Sequence, residues 1–184
     1  MAQKYILGQQ AQRRKRSVRY VVSITVLLLI LSVLQVSFFG RFRLFGATPD
    51  LMIIGVLCIG FFTGQYTGAV CGIGAGFLID ALGSTGVTIL PVCYLLVGYL
   101  VGIYAKRTTN QGFVQYLIYL AITLLFRAAI TVLYACLGYE SLNLPLVLLY
   151  AVLPELLVTA LAGLALYFPM RLFCGLLEKS GKRR

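Results

Sequence analysis

The sequence predicts an all-α integral membrane protein, with six transmembrane helices and both termini on the cytoplasmic side. Three observations predict it. Of the 184 residues, 60% are hydrophobic and only 11% are charged, and the mean hydropathy is +0.94; soluble domains are about a quarter charged. Apolar runs over Val21–Phe39, Ile89–Ala105, Phe113–Leu137 and Leu146–Phe168 approach or exceed the ~20 residues that cross a bilayer. With six spans and the termini inside, thirteen Lys and Arg residues fall on the cytoplasmic side, against Arg41 and Arg43 outside and Arg127 within the membrane. That asymmetry is the one that sets membrane orientation. An odd number of spans would push one basic tail outside.

Residues 1–19 form a basic tail with Lys4, Arg13, Arg14, Lys15, Arg16 and Arg19. The apolar run behind it is longer than a signal-peptide core and has no small-residue cleavage site after it. Span 1 is therefore retained, at about 20–39. Phe38, Phe39 and Phe42 flank a short Arg41-Phe42-Arg43 loop at the interface.

The stretch from Pro49 to Gly83 organises the rest. Gly60, Gly64, Gly68, Gly72 and Gly76 recur every four residues, with Asp80 at the next step. Residues four apart share a helix face, and small residues there let another backbone approach in lipid. As one helix, Asp50–Leu82 would be about 50 Å long, against a hydrocarbon core of about 30 Å. The chain must break, and Gly64-Gln65-Tyr66-Thr67-Gly68 is its polar interruption. This gives span 2 at about 50–64 and span 3 at about 66–82, a hairpin with Asp50 and Asp80 at its outer end. There the two acids are expected to be within reach of water and to cap neighbouring backbone.

Gly83–Thr88 reads as a turn. Span 4, at about 89–105, carries Gly98-xxx-Gly102 and ends at Lys106-Arg107. Span 5, at about 113–137, contains Arg127, and span 6, at about 146–173, contains Pro154 and Glu155. Pro154 should kink span 6, since it offers no backbone donor, and Pro169 should end or bend its last turns. Residues 174–184 form a second basic tail. The chain has no tryptophan, so tyrosines must supply the aromatic belt: Tyr20, Tyr66, Tyr104, Tyr116 and Tyr167 inside, Tyr139 and Tyr150 outside.

Arg127 and Glu155 lie at matching depth on consecutive antiparallel spans. A charge at mid-membrane costs at least about 2.5–3.5 kcal/mol and wants a partner. An Arg127–Glu155 ion pair follows, or one shared with Asp80. The basic tails suit anionic lipid headgroups and do not indicate nucleic acid. There is no histidine, and Cys58, Cys71, Cys93, Cys136 and Cys174 each stand alone in apolar sequence. They read as small apolar fillers, with no metal site, cofactor or catalytic constellation.

Several features together resemble the MreD family of bacterial rod shape-determining membrane proteins. They are Pro49-Asp50-Leu51, the run from Gly68 through Asp80 to Gly83, Gly86, Gly98-Tyr99-Leu100-Val101-Gly102, Leu153-Pro154 and Tyr167-Phe168-Pro169. Pro49, Asp50, Asp80, Gly83 and Pro154 are the positions that match the motif; Arg127 and Glu155 lie outside it. The resemblance implies a non-enzymatic scaffold of the lateral cell-wall elongation machinery in the cell membrane. Its partner would be MreC, and with it MreB, RodA and a transpeptidase penicillin-binding protein. The family is in turn similar to the six-helix substrate-binding subunits of energy-coupling-factor vitamin transporters, which supplies the alternative function. Short, sparsely polar outer loops favour the scaffold.

Overall fold

A computed structural model of the chain describes residues 20–39, 49–83, 90–107, 112–138 and 152–182. They form six helices, with no strand among them. Helix α1 covers residues 20–33 and continues as a π-helical segment, Leu34–Phe39. Then follow α2 (Leu51–Thr63), α3 (Gln65–Gly83), α4 (Leu90–Arg107), α5 (Phe113–Gly138) and α6 (Leu153–Lys182).

The architecture follows from α2. Its first twelve residues are apolar on every side, with Thr63 ending it, and each residue from Leu51 to Phe61 is buried. A helix with no polar face belongs in the middle of a bundle. Helices α3, α4, α5 and α6 pack around it, and α1 touches it where Leu31 lies against Gly55.

The expected break falls at Gly64, the one described glycine with positive φ, at +99°. Gly64 N donates to Gly60 O and Gly68 N to Gly64 O, at 3.0 and 2.9 Å, so the reversal from α2 to α3 needs a single linking residue. The glycine row serves mainly a third helix. A Cβ at Gly72 would collide with the backbone of Tyr94, and one at Gly76 with that of Pro91. Gly60 and Gly68 both meet the carbonyl of Gly98, and Gly102 meets Gly64 and Gln65. The backbones of α2, α3 and α4 therefore converge at Gly60, Gly68 and Gly98.

Among the described residues, four helices are long and apolar enough to cross a membrane: Tyr20–Ser37, Leu90–Arg107, and the stretches Phe113–Leu133 and Leu153–Leu176. Helix α2 is shorter, at about 20 Å, and α3 is not among the four. Pro154 is the second residue of α6 and stands in its first turn. A proline is tolerated in a first helical turn, where the backbone N–H has no intrahelical partner; the kink expected there involves preceding residues that lie outside the described ones. Pro169 does not end α6, which runs on through much of the expected C-terminal tail. Tyr116 and Tyr167 are fully buried and so are not belt residues, whereas Tyr66 and Tyr104 are exposed. Tyr139, Tyr150, residues 146–151 of the expected sixth span and the N-terminal tail lie outside the described residues.

Candidate functional site: a buried polar cluster at the start of the central helix

Asp50 precedes α2 and caps it, its Oδ1 accepting from Ile53 N at 3.1 Å. An N-cap acid satisfies an orphan amide and complements the positive end of the helix dipole. The other carboxylate oxygen, Oδ2, accepts from the Tyr94 hydroxyl at 2.6 Å and lies 3.5 Å from Arg127 Nε. Arg127 Nη2 lies 3.3 Å from Glu155 Oε1. The backbone joins in: Asp50 N donates to Thr159 Oγ1 at 3.2 Å, and Met52 N to Gln35 Oε1 at 3.0 Å.

This constellation gathers α1 (Gln35), α2 (Asp50), α4 (Tyr94), α5 (Arg127) and α6 (Glu155, Thr159). A lone charge in such a place would be prohibitive, and pairing with hydrogen bonding is what makes it tolerable. Two carboxylates face one guanidinium, and Arg127 Nε has no hydrogen bond of good geometry among the described residues. Side-chain exposure is 4% for Asp50, against 22% for Arg127 and 21% for Glu155. The cluster therefore seals at Asp50 and opens toward the α5–α6 side.

Arg127 and Glu155 thus lie in contact, as their matching depth suggested. The further carboxylate beside Arg127 is Asp50. Asp50 caps backbone as expected, but it does not sit on a rim reached by water. The reason is length. Arg127 is eleven residues before Gly138, about 16 Å along α5, and the short α2 starts at that level inside the bundle. Pro49 is buried beside Asp50. Asp80 lies in the last turns of α3, and Gly83 ends that helix.

Tyr94, Thr159 and Gln35 were missed from sequence. One signal was available for Tyr94: a tyrosine deep in an apolar span needs a partner for its hydroxyl. The threonine and glutamine carry no comparable mark.

A second internal cluster braces the opposite end of α2. The Tyr116 hydroxyl donates to Gly163 O at 2.8 Å and accepts from the Cys58 thiol at 3.6 Å. The Tyr116 and Tyr167 rings lie 4.7 Å apart, and Phe61 sits edge-on to Tyr116 at 6.0 Å. Cys58, Cys71, Cys93 and Cys174 are all buried and unbridged.

No curated protein and no solved structure matches the chain significantly. A family model described as rod shape-determining protein MreD matches residues 15–177, a range that holds every described helix from α1 through most of α6 and all residues of the polar cluster. The chain belongs to the MreD family of rod shape-determining membrane proteins.

Proposed function

We propose that this chain is a non-enzymatic scaffold of the lateral cell-wall elongation machinery in the bacterial cell membrane. It crosses the membrane six times with both termini inside, and acts in cell shape through association with MreC. MreB, RodA and a transpeptidase penicillin-binding protein are reached directly or through MreC. The observation that carries this reading is the family match over residues 15–177. The geometry supports it. The polar groups inside the bundle hold helices to one another: one oxygen of Asp50 caps α2 while the other binds α4 and faces α5. A rigid core braced in this way suits a part whose task is to present surfaces. Affinity purification from native membranes tests the reading. MreC should co-purify, and depletion should round the cells. Unchanged rods with no MreC in the eluate would refute it.

The alternative is a substrate-binding subunit like those of energy-coupling-factor transporters. One observation favours it: Arg127 Nε, though 3.5 Å from Asp50 Oδ2, is a buried donor without a hydrogen bond among the described residues, in a polar cluster between helices, where small-molecule sites are built. A vitamin retained through purification, with uptake dependent on an ATPase module, would establish that reading instead.

A further inference from the structure

Helices α2, α3 and α4 meet backbone to backbone at Gly60, Gly68, Gly72 and Gly98, which leaves no slack between them. Helix α5 is seated differently. Between its Ile122, Thr123 and Phe126 and Val97, Leu100 and Val101 of α4 lies a cavity of about 90 Å³. Packed interiors leave few voids larger than a water molecule. The two buried side-chain polar atoms that lack a hydrogen bond among the described residues, Gln115 Oε1 and Arg127 Nε, also both belong to α5. This helix therefore has room beside it and unmatched polar groups along it.

Near its start α5 is pinned. The Tyr116 hydroxyl donates to Gly163 O of α6 at 2.8 Å and accepts from the Cys58 thiol of α2 at 3.6 Å, and its ring stacks on Tyr167. Arg127 lies about 16 Å further along the helix, past the cavity. There the guanidinium stands between two carboxylates. Its Nε is 3.5 Å from Asp50 Oδ2 and its Nη2 is 3.3 Å from Glu155 Oε1. A charge-assisted N–H···O bond closes to about 2.7–2.9 Å, so neither bond is fully made. Asp50 is tied to α4 through Tyr94, on the cavity side, whereas Glu155 belongs to α6. A step toward one carboxylate is a step away from the other, and a step toward Asp50 also closes the cavity.

We propose that α5 is a rocking helix with two seats, pivoting at Tyr116. In the first seat Ile122 and Phe126 close on α4 and Arg127 bonds Asp50. In the second Arg127 bonds Glu155 and the α4–α5 seam opens. Packed elements switch between discrete arrangements and do not deform continuously. The device does not depend on the elongation role. Whatever binds α5 better in one seat than in the other moves the balance, while the glycine-packed block of α2, α3 and α4 stays still.

The absence of tryptophan lets a single fluorotryptophan report on one place in the full chain. Ile122→Trp and Leu100→Trp stand on the two sides of the seam, both at exposed positions. Tyr66→Trp, exposed on α3, is the control in the fixed block. Each protein is held in phosphatidylcholine nanodiscs and followed by fluorine NMR. The seam reporters should show two exchanging populations and the control one. Asp50→Asn weakens the first seat and should shift the ratio toward the second by at least about fivefold, the low end for coupled sites. Glu155→Gln should shift it at least about fivefold in the opposite direction. Val101→Leu, which fills the cavity, should act in the same sense as Asp50→Asn. One population at both seam reporters, unmoved by either substitution, would overturn the proposal. So would Asp50→Asn and Glu155→Gln shifting the ratio the same way, or Val101→Leu acting like Glu155→Gln. Two populations at the Tyr66→Trp control would also overturn it, because the whole bundle and not α5 would then be moving.

Discussion

The Tyr94 hydroxyl donates a 2.6 Å hydrogen bond to Asp50 Oδ2, and this bond ties the central helix to the one it packs against most closely. The same oxygen faces Arg127 at 3.5 Å, while Oδ1 holds the first turn of α2. A short side chain is required for this. Aspartate at an N-cap can reach back to the amide three residues on and still present its second oxygen outward.

Tyr94→Phe should therefore destabilise the protein without disturbing its packing. Hydrogen bonds to charged groups contribute about 1.5–3 kcal/mol, and that loss should appear as a lower melting temperature of the detergent-purified protein. Asp50→Asn keeps an oxygen for the cap but removes the charge beside Arg127, and should cost more than Tyr94→Phe. A Tyr94→Phe protein that melts with the parent would show that the bond contributes nothing.

Arg127 and Glu155 should be unequal partners. Removing the guanidinium leaves both Asp50 and Glu155 uncompensated, a loss of about 3–5 kcal/mol for a broken buried pair. Glu155→Gln leaves Arg127 with Asp50, so its cost should be smaller. The double change Arg127→Gln with Glu155→Gln should lower the amount of folded protein in the membrane by less than the two single losses combined. Full additivity would mean that the 3.3 Å contact carries no coupling energy.

Much of this fold was legible because lipid leaves few choices. Run length and basic residues locate the helices, and the excess length of Asp50–Leu82 forces the break at Gly64. The depth of Asp50 was not legible. It depends on how far a thirteen-residue α2 sinks between its neighbours, which is a property of the packed bundle and not of α2 itself. For the same reason Tyr116 and Tyr167, counted from the span ends as belt residues, turn inward to stack on each other. Position along a span gives depth but not facing. The glycine row announced a close contact, yet its spacing could not name α4 as the partner.

Gly64 should tolerate substitution poorly. Its φ of +99° with ψ of 178° lies in a region open essentially to glycine alone, at a cost of about 1–3 kcal/mol for an L-residue, and a Cβ would also press on the Lys106 side chain. Gly64→Ala should lower the melting temperature even when Lys106 is shortened to alanine to relieve the clash. Full rescue by Lys106→Ala would assign the whole penalty to the side chain and none to the backbone.

The glycine row and the polar cluster should prove energetically connected, because Tyr94 belongs to both. Its backbone is what a Cβ on Gly72 would strike, and its hydroxyl is what Asp50 holds. Pushing α4 away from α3 at that point moves the hydroxyl off the carboxylate. Gly72→Ala should therefore already forfeit part of the Tyr94–Asp50 bond, and adding Tyr94→Phe should then cost less than it does alone. The coupling expected for residues in contact is about 0.5–3 kcal/mol, readable from four melting curves. The larger change Gly72→Leu should reduce folded protein far more than Ala69→Leu, one turn-step off the contact row. Ala69→Leu should add to Tyr94→Phe without coupling. If Gly72→Ala and Tyr94→Phe simply add, the close approach of α3 to α4 and the capping of α2 are separate devices.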